Sequence, residues 1–442
     1  MRRASLGAAV VASLASAAIA GGAPARRLTL AEAIDLALSG NPQLAIDADR
    51  VVAAEAQARA DQALRGPLIA ARASALVWNR AIVADLGELG PITIRDRVTG
   101  SLDLAVSQPV SGALVIGRLV ERDRAVTEAS RAQRAGHRIE IAYRAAETYL
   151  AALQASALAQ VAAATEHQLD GDLQRARQLL AAGTLQRVDV LRLEVERARV
   201  EQQGLQAETA AASARGRLGL LLGLPDGTEL ALADVDTTPP ELASTEAEAE
   251  NDAVARARRD RAELHAAEAT ARAADAGVGL ARSSYYPAIA VVAQYSRAIH
   301  AGLLSSPDAA FVGVTLDWTL WDWGRRAAEV EASQAADRQA RRAQAALGDQ
   351  IAADTRARWR EARLARATLE VADRRLAAAA EARRIQAARF AQGAATTIEV
   401  LDAETALASA QAEAAIGRYQ YLVAWMGLSR EVGALPLRPE AR

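Results

Sequence analysis

Apolar positions along this chain follow two spacings. From about 112 to 182, and again beyond 322, they recur every three to four residues, the period of an α-helix. At 1.5 Å per residue, a helix of that length reaches roughly 100 Å. Over 98–107 the period is two: Val98, Leu102, Leu104 and Val106 alternate with Thr99, Ser101, Asp103 and Ser107. Ile289, Val291, Ala293 and Tyr295 do the same, as do Val312, Val314, Leu316 and Trp318 against Gly313, Thr315 and Asp317. Such alternation predicts strands, placed near 68–82, 97–110, 288–300 and 308–320. The stretches LGELGPITIRD (86–96) and AGLLSSPDA (301–309) read as loops between them. Thr29 followed by Glu32 is a capping-box start for the first helix, which Gly40-Asn41-Pro42 interrupts.

The textures come twice. QLLAAGTLQRVDVLRLEVERA (178–198) and ARFAQGAATTIEVLDAETALA (388–408) align at a shift of 210. Gly183 then meets Gly393, Asp189 meets Glu399 and Glu194 meets Glu404. Ile141 meets Ile351, Tyr149 meets Trp359 and Gly223 meets Gly433. Nearer the start the shift is 220, so the first copy carries ten extra residues between Pro67 and Leu104. Units this long are not solenoid repeats. The expected organisation is a duplicated half-protein, 21–235 and 236–442, each ending in a long helical hairpin (112–223 and 322–433). The proline- and acid-rich stretch 225–250 reads as the linker.

Composition removes several chemistries. The chain has no cysteine, and its 52 basic residues are all arginine. Thiol nucleophiles, disulfides, Schiff-base lysines and a Walker lysine are therefore excluded. A net charge of −2 offers no bulk attraction for nucleic acid. Aromatics are only 3% of residues, so the abundant alanine must pack as close helices rather than as one thick core. His137, His167, His265 and His300 share no metal-ligand spacing. No enzyme motif is present, and no cofactor or metal is expected. Residues 1–20, two arginines and then a short run of small apolar residues, read as a signal peptide cut after Ala20.

Strands of about ten residues suit a tilted crossing of an outer membrane. Four cannot close a barrel, and open edges in lipid leave unpaired backbone groups. Pooling between protomers solves this, and three copies would supply twelve strands. A soluble two-sheet element is the alternative. Trp318, Trp321 and Trp323 fit either an interfacial girdle or simple packing.

LTLAEAIDLALSGNPQL (28–44), YYPAIAVVAQYS (285–296), VTLDWTLWDWG (314–324) and the paired GTLQRVDVL and GAATTIEVL turns resemble the TolC-type outer-membrane efflux proteins, in order and in both copies. The resemblance implies a mainly α protein with a small membrane β-barrel: a trimeric channel-tunnel, twelve-stranded in the outer membrane and helical through the periplasm. It implies a passive exit duct in a tripartite efflux or type I secretion system, working with a periplasmic adaptor and an RND- or ABC-type inner-membrane pump. It places Gly183, Thr184, Leu185, Gly393, Ala394 and Ala395 at adaptor-docking turns. Asp189 matches a latch residue of the entrance, while Glu399 and Asp402 match acids that ring it. The positions of the latch tyrosine and arginine hold Phe390 and Ala395, with Arg187 a substitute cation nearby. The rival expectation is a secreted periplasmic coiled-coil adaptor or scaffold, which would carry one hairpin rather than two.

Overall fold

The structure, a computed structural model, describes residues 27–85, 87, 90–225, 228–235, 246–299 and 308–435. The expected signal peptide and most of the loop expected over 301–309 lie outside the described residues, as does the 235/236 junction.

Helix α1 (Leu30–Gly40) starts at Thr29, whose hydroxyl accepts from the Glu32 amide while Glu32 Oε2 accepts from the Thr29 amide at 2.9 Å. Asn41 then caps α2 (Pro42–Ala63), with Pro42 at the first helical position, where its missing N–H costs nothing. Four strands follow one order in space. β1 (Leu68–Val77), β4 (Val98–Pro109), β5 (Ala288–Ile299) and β6 (Asp308–Asp317) form one antiparallel sheet, β1-β4-β5-β6. Leu68 opposes Ser107, Asp103 opposes Ser296, and Ala288 opposes Asp317. The register sorts the faces. Leu102, Leu104, Val291, Tyr295, Val312, Val314 and Leu316 share one exposed apolar face. On the other, Asp103 accepts from Ser101 at 3.0 Å and from Ser296 at 2.7 Å. One exposed apolar face and one polar face are what a sheet between lipid and a wet lumen would need.

The ten extra residues of the first copy are accommodated outside this sheet. The strand expected to reach 82 stops at Val77, and the loop expected over 86–96 contains a strand. A separate hairpin forms from β2 (Ile82–Asp85) and β3 (Pro91–Arg95). Trp78 fixes its base: the indole donates to Thr99 at 2.9 Å and the Arg95 guanidinium stacks on its ring at 3.7 Å.

Helices α3 (Gly112–Ala181) and α7 (Arg325–Ala391) have 70 and 67 residues, roughly 100 Å each. At the turns, α3 is followed by α4 (Arg187–Leu221) and α7 by α8 (Thr397–Glu431). The remaining helices are α5 (Glu246–Asp260), which begins in the last residues of the stretch expected to be linker, and α6 (Ala262–Ser283). Near the strands the lateral order is α2-α3-α6-α7; toward the turns it is α4-α3-α8-α7. Glu55 pairs with Arg131 at 2.6 Å, and Asp275 with Arg341 at 2.9 Å, the same link in each copy. The main core lies at mid-length, where Leu30, Ile34, Tyr149, Leu150, Leu218, Leu422 and Met426 meet across fully buried alanines. Ile141 and Ile351 are both buried, as are Tyr149 and Trp359. Among the described residues no helix is long and apolar enough to cross a membrane.

Candidate functional site: the double-hairpin tip

The two long hairpins turn in the same way. Gly183 has φ +75° and Gly393 has φ +70°, a conformation that costs a side-chain-bearing residue. Each sits in a Schellman motif. The Gly183 amide donates to Leu180 O and the Thr184 amide to Leu179 O, both at 3.0 Å. The Gly393 amide donates to Phe390 O at 2.9 Å and the Ala394 amide to Arg389 O at 2.8 Å. The Thr184 hydroxyl adds a bond to Leu179 O at 2.9 Å.

The outgoing helices start differently. α8 opens with a full capping box: the Glu399 amide donates to the Thr396 hydroxyl, and the Thr396 amide donates to Glu399 Oε2 at 2.7 Å. That backbone amide, with the Thr396 hydroxyl and the nearby Arg389, holds the Glu399 carboxyl below its usual range. α4 opens at Gln186 without a side-chain cap. Asp189, in its first turn, pairs with Arg192 at 3.4 Å rather than with Arg187, which is exposed.

A cleft of about 450 Å³ separates the turns. It brings together Thr184, Leu185 and Asp189 from the first hairpin and Phe390, Gly393, Ala394, Ala395 and Glu399 from the second. Gly183, Arg187 and Asp402 lie outside its lining, with Asp402 exposed on α8. Phe390 does not present an edge to solvent. It is 1% exposed, packed among Leu169, Leu173, Val190, Leu193 and Val400, so it joins the two hairpins through their core. Leu185 and Ala395 pack partly on the same cluster.

At the opposite end, Trp318, Trp321 and Trp323 are exposed just past β6. Trp321 and Trp323 meet edge to face at 5.8 Å, and the Trp318 indole donates to Tyr285 O at 3.2 Å. Trp323 and Gly324 both have positive φ, 57° and 87°, which delays α7 to Arg325.

Sequence reasoning missed one cluster. Asp172 of α3, Arg383 of α7 and Glu404 of α8 are all buried, and both carboxylates accept from the Arg383 guanidinium. Burial pushes the Glu404 carboxyl up, against the pull of Arg383. Among so many arginines on alanine-rich helices, Arg383 gives no sequence signal of its own. Glu404 stood only as the repeat counterpart of Glu194, which is exposed.

Residues 253–434 match the family described as outer membrane efflux protein. Protein CyaE of Bordetella pertussis is 34% identical over 175 residues, 38% of this chain and 36% of that relative's length. Among solved structures, the outer-membrane channel OprN superposes with a TM-score of 0.75 at 22% identity, over 92% of this chain and 90% of that one. CusC, solved in a study of its transmembrane channel formation, superposes with the same TM-score at 18% identity, over 94% and 96%. The second half of the chain thus carries the match to the outer membrane efflux protein family, and the chain as a whole has the fold of solved outer-membrane channels.

Proposed function

We propose that the protein is the exit duct of a tripartite efflux or type I secretion system. It conducts passively; a periplasmic adaptor and an RND- or ABC-type inner-membrane pump supply direction and energy. No catalysis is assigned to it.

The observation that carries this reading is a pair of open edges running the length of the protomer. β1 and β6 each pair on one side only. In lipid an unpaired backbone group costs several kcal/mol, so these edges require partners. The helical layer has matching edges near the turns, α4 on one side and α7 on the other. α4 exposes Val188, Leu191, Val195 and Leu205; α7 exposes Leu364, Val371 and Ile385, seven and then fourteen residues apart. Such stripes are half of a coiled-coil seam. The two edges differ, so copies join head to tail and close into a ring. Three copies give a twelve-stranded barrel continuous with a helical tube.

In that homotrimer Gly183, Thr184, Leu185, Gly393, Ala394 and Ala395 form the rim that meets the adaptor. Asp189, Arg187, Glu399 and Asp402 set the charge of the entrance, and Phe390 supports it from within. The test is the mass of the detergent-solubilised protein together with its conductance in planar bilayers. A trimer that forms channels is the expected result. A water-soluble monomer without channels overturns the duct and favours a scaffold.

A further inference from the structure

Two carboxyls meet where α2 packs on α3, close to the sheet. Asp61, in the last turn of α2, comes within hydrogen-bonding reach of Asp123 of α3. Asp123 is 5% exposed. Its Oδ1 accepts from Arg122 Nε at 3.1 Å and from Arg122 Nη2 at 2.8 Å. Its Oδ2 is buried and receives no donor among the described residues. Asp61 in turn accepts from Gln57 at 3.1 Å. Two ionised carboxylates in this contact would repel, and the buried oxygen would stay unsatisfied. A single proton on Asp123 Oδ2 removes both penalties, because that hydroxyl then donates to Asp61.

Placement gives the pair its weight. Near the strands α2 is the outermost helix of the layer and packs on α3. Two further links run along the same seam, Asp47 to His137 and Glu55 to Arg131, each at 2.6 Å. The second copy keeps the arginine link, Asp275 to Arg341. At the shifts of 220 and 210, Asp61 falls on Ala281 and Asp123 on Ser333, whose hydroxyl donates to Glu329 O of its own helix. α6, flanked by helices on both sides, thus does without the acid pair that the edge helix has. The cation acting on both carboxyls is Arg122. From α6, on the other side of α3, Arg272 is engaged with Glu128 at 2.6 Å and Asp275 with Arg341 at 2.9 Å.

We propose that Asp61 and Asp123 share one proton, and that this shared proton fastens the edge helix α2 to α3. Burial and the neighbouring Asp61 push the Asp123 carboxyl up, while the hydrogen bond with Asp123 pulls the Asp61 carboxyl down. The one-proton state is favoured between the two titrations. Its contribution to stability is greatest near the ordinary aspartate value, 3.8, and is lost as pH rises through the raised titration of Asp123. It is lost again as pH falls through the lowered titration of Asp61. In the proposed trimer α2 faces the neighbouring copy, so rising pH loosens the joint between copies near the membrane; that consequence alone rests on the duct reading above.

The experiment follows thermal melting of the full-length protein in detergent between about pH 4 and 8, for the wild type and for Asp123→Asn. An asparagine amide donates to Asp61 at every pH, while its oxygen still accepts from Arg122. The two proteins should melt together at the acid end, and toward about pH 8 the variant should melt higher by about 2 °C or more. Parallel curves, or a variant that melts lower throughout, overturn the shared proton. Should Asp123→Asn not fold, Asp61→Asn carries the test, its amide donating to the ionised Asp123. A flattened curve then supports the proposal and a wild-type slope overturns it. Failure of both variants to fold also overturns it, since each keeps the bond proposed. The mass of the assembly, read alongside, separates the two claims. A water-soluble monomer overturns the duct reading and with it the consequence for the neighbouring copy, and the melting curves still decide the shared proton.

Discussion

Gly183 and Gly393 stand 210 residues apart and turn the chain with nearly the same left-handed backbone, φ +75° and +70°. A Cβ at either would meet nothing within 4 Å. Their requirement is therefore conformational rather than steric. Gly183→Ala and Gly393→Ala should each cost about 1 kcal/mol and add independently. Gly223 and Gly433, another pair at this spacing, should part company. Both have positive φ, but only at Gly433 does a Cβ come within 2.7 Å of a backbone oxygen, that of Asp260. Gly433→Ala should destabilise distinctly more than Gly223→Ala. Thermal melting of the four variants checks this, and equal losses at 223 and 433 would count against the packing described here.

Tyr149 predicts an alkaline limit. Its hydroxyl lies 2.7 Å from Leu28 O and 2.6 Å from Ala233 O, fastening two distant segments to α3. Burial pushes the phenol up to about 12 from 10.0, partly offset by the bond to Ala233. A raised phenol contributes stability that is complete below pH 10 and is lost as pH climbs through about 12. Tyr149→Phe should lose about 1–2 kcal/mol at neutral pH. It should also flatten the alkaline decline, measured by melting between pH 9 and 12.

The acids proposed for the entrance need isosteric variants. Glu399 caps α8 as well as carrying charge, so alanine there would confound the two roles and cost about 1 kcal/mol of helix stability. Glu399→Gln with Asp402→Asn removes the charge while largely sparing the cap. In bilayer recordings the double variant should be blocked less by multivalent cations than the wild type. Undiminished block would remove both acids from the entrance.

The tryptophans report on lipid. Trp321 and Trp323 are exposed, whereas Trp359 is buried in the helical region. In vesicles containing brominated lipid, replacing Trp318, Trp321 and Trp323 by Phe should abolish most of the fluorescence quenching, while Trp359→Phe should leave it nearly intact. Equal effects would detach this cluster from the membrane rim.

What the sequence disclosed was periodic. Alternation at Val312–Leu316 and the echo of Gly183 in Gly393 are local patterns, and they located the sheet and the turns. The capping box at Thr29–Glu32 was legible because its bonds span three residues. Contacts made across the fold were not. The pattern over 86–96 gave no hint of β3, which owes its place to Trp78 and Arg95 stacking from outside the sheet. Phe390 read as a poor substitute for a hydroxyl-bearing residue, and only packing shows it wedged between hairpins. Arg383 was one arginine among 52, and its burial depends on helices more than 200 residues apart.

α7 passes without a break from Arg325, beside the exposed tryptophans, to Ala391 at the turn. Among the described residues it is also the one helix that borders the layer at both levels. In the proposed duct the membrane collar and the periplasmic mouth are thus two ends of a single strut. A torque applied there by the proposed adaptor would find no hinge in which to dissipate, and its reaction would fall on the neighbouring copy of the proposed trimer all along the shaft.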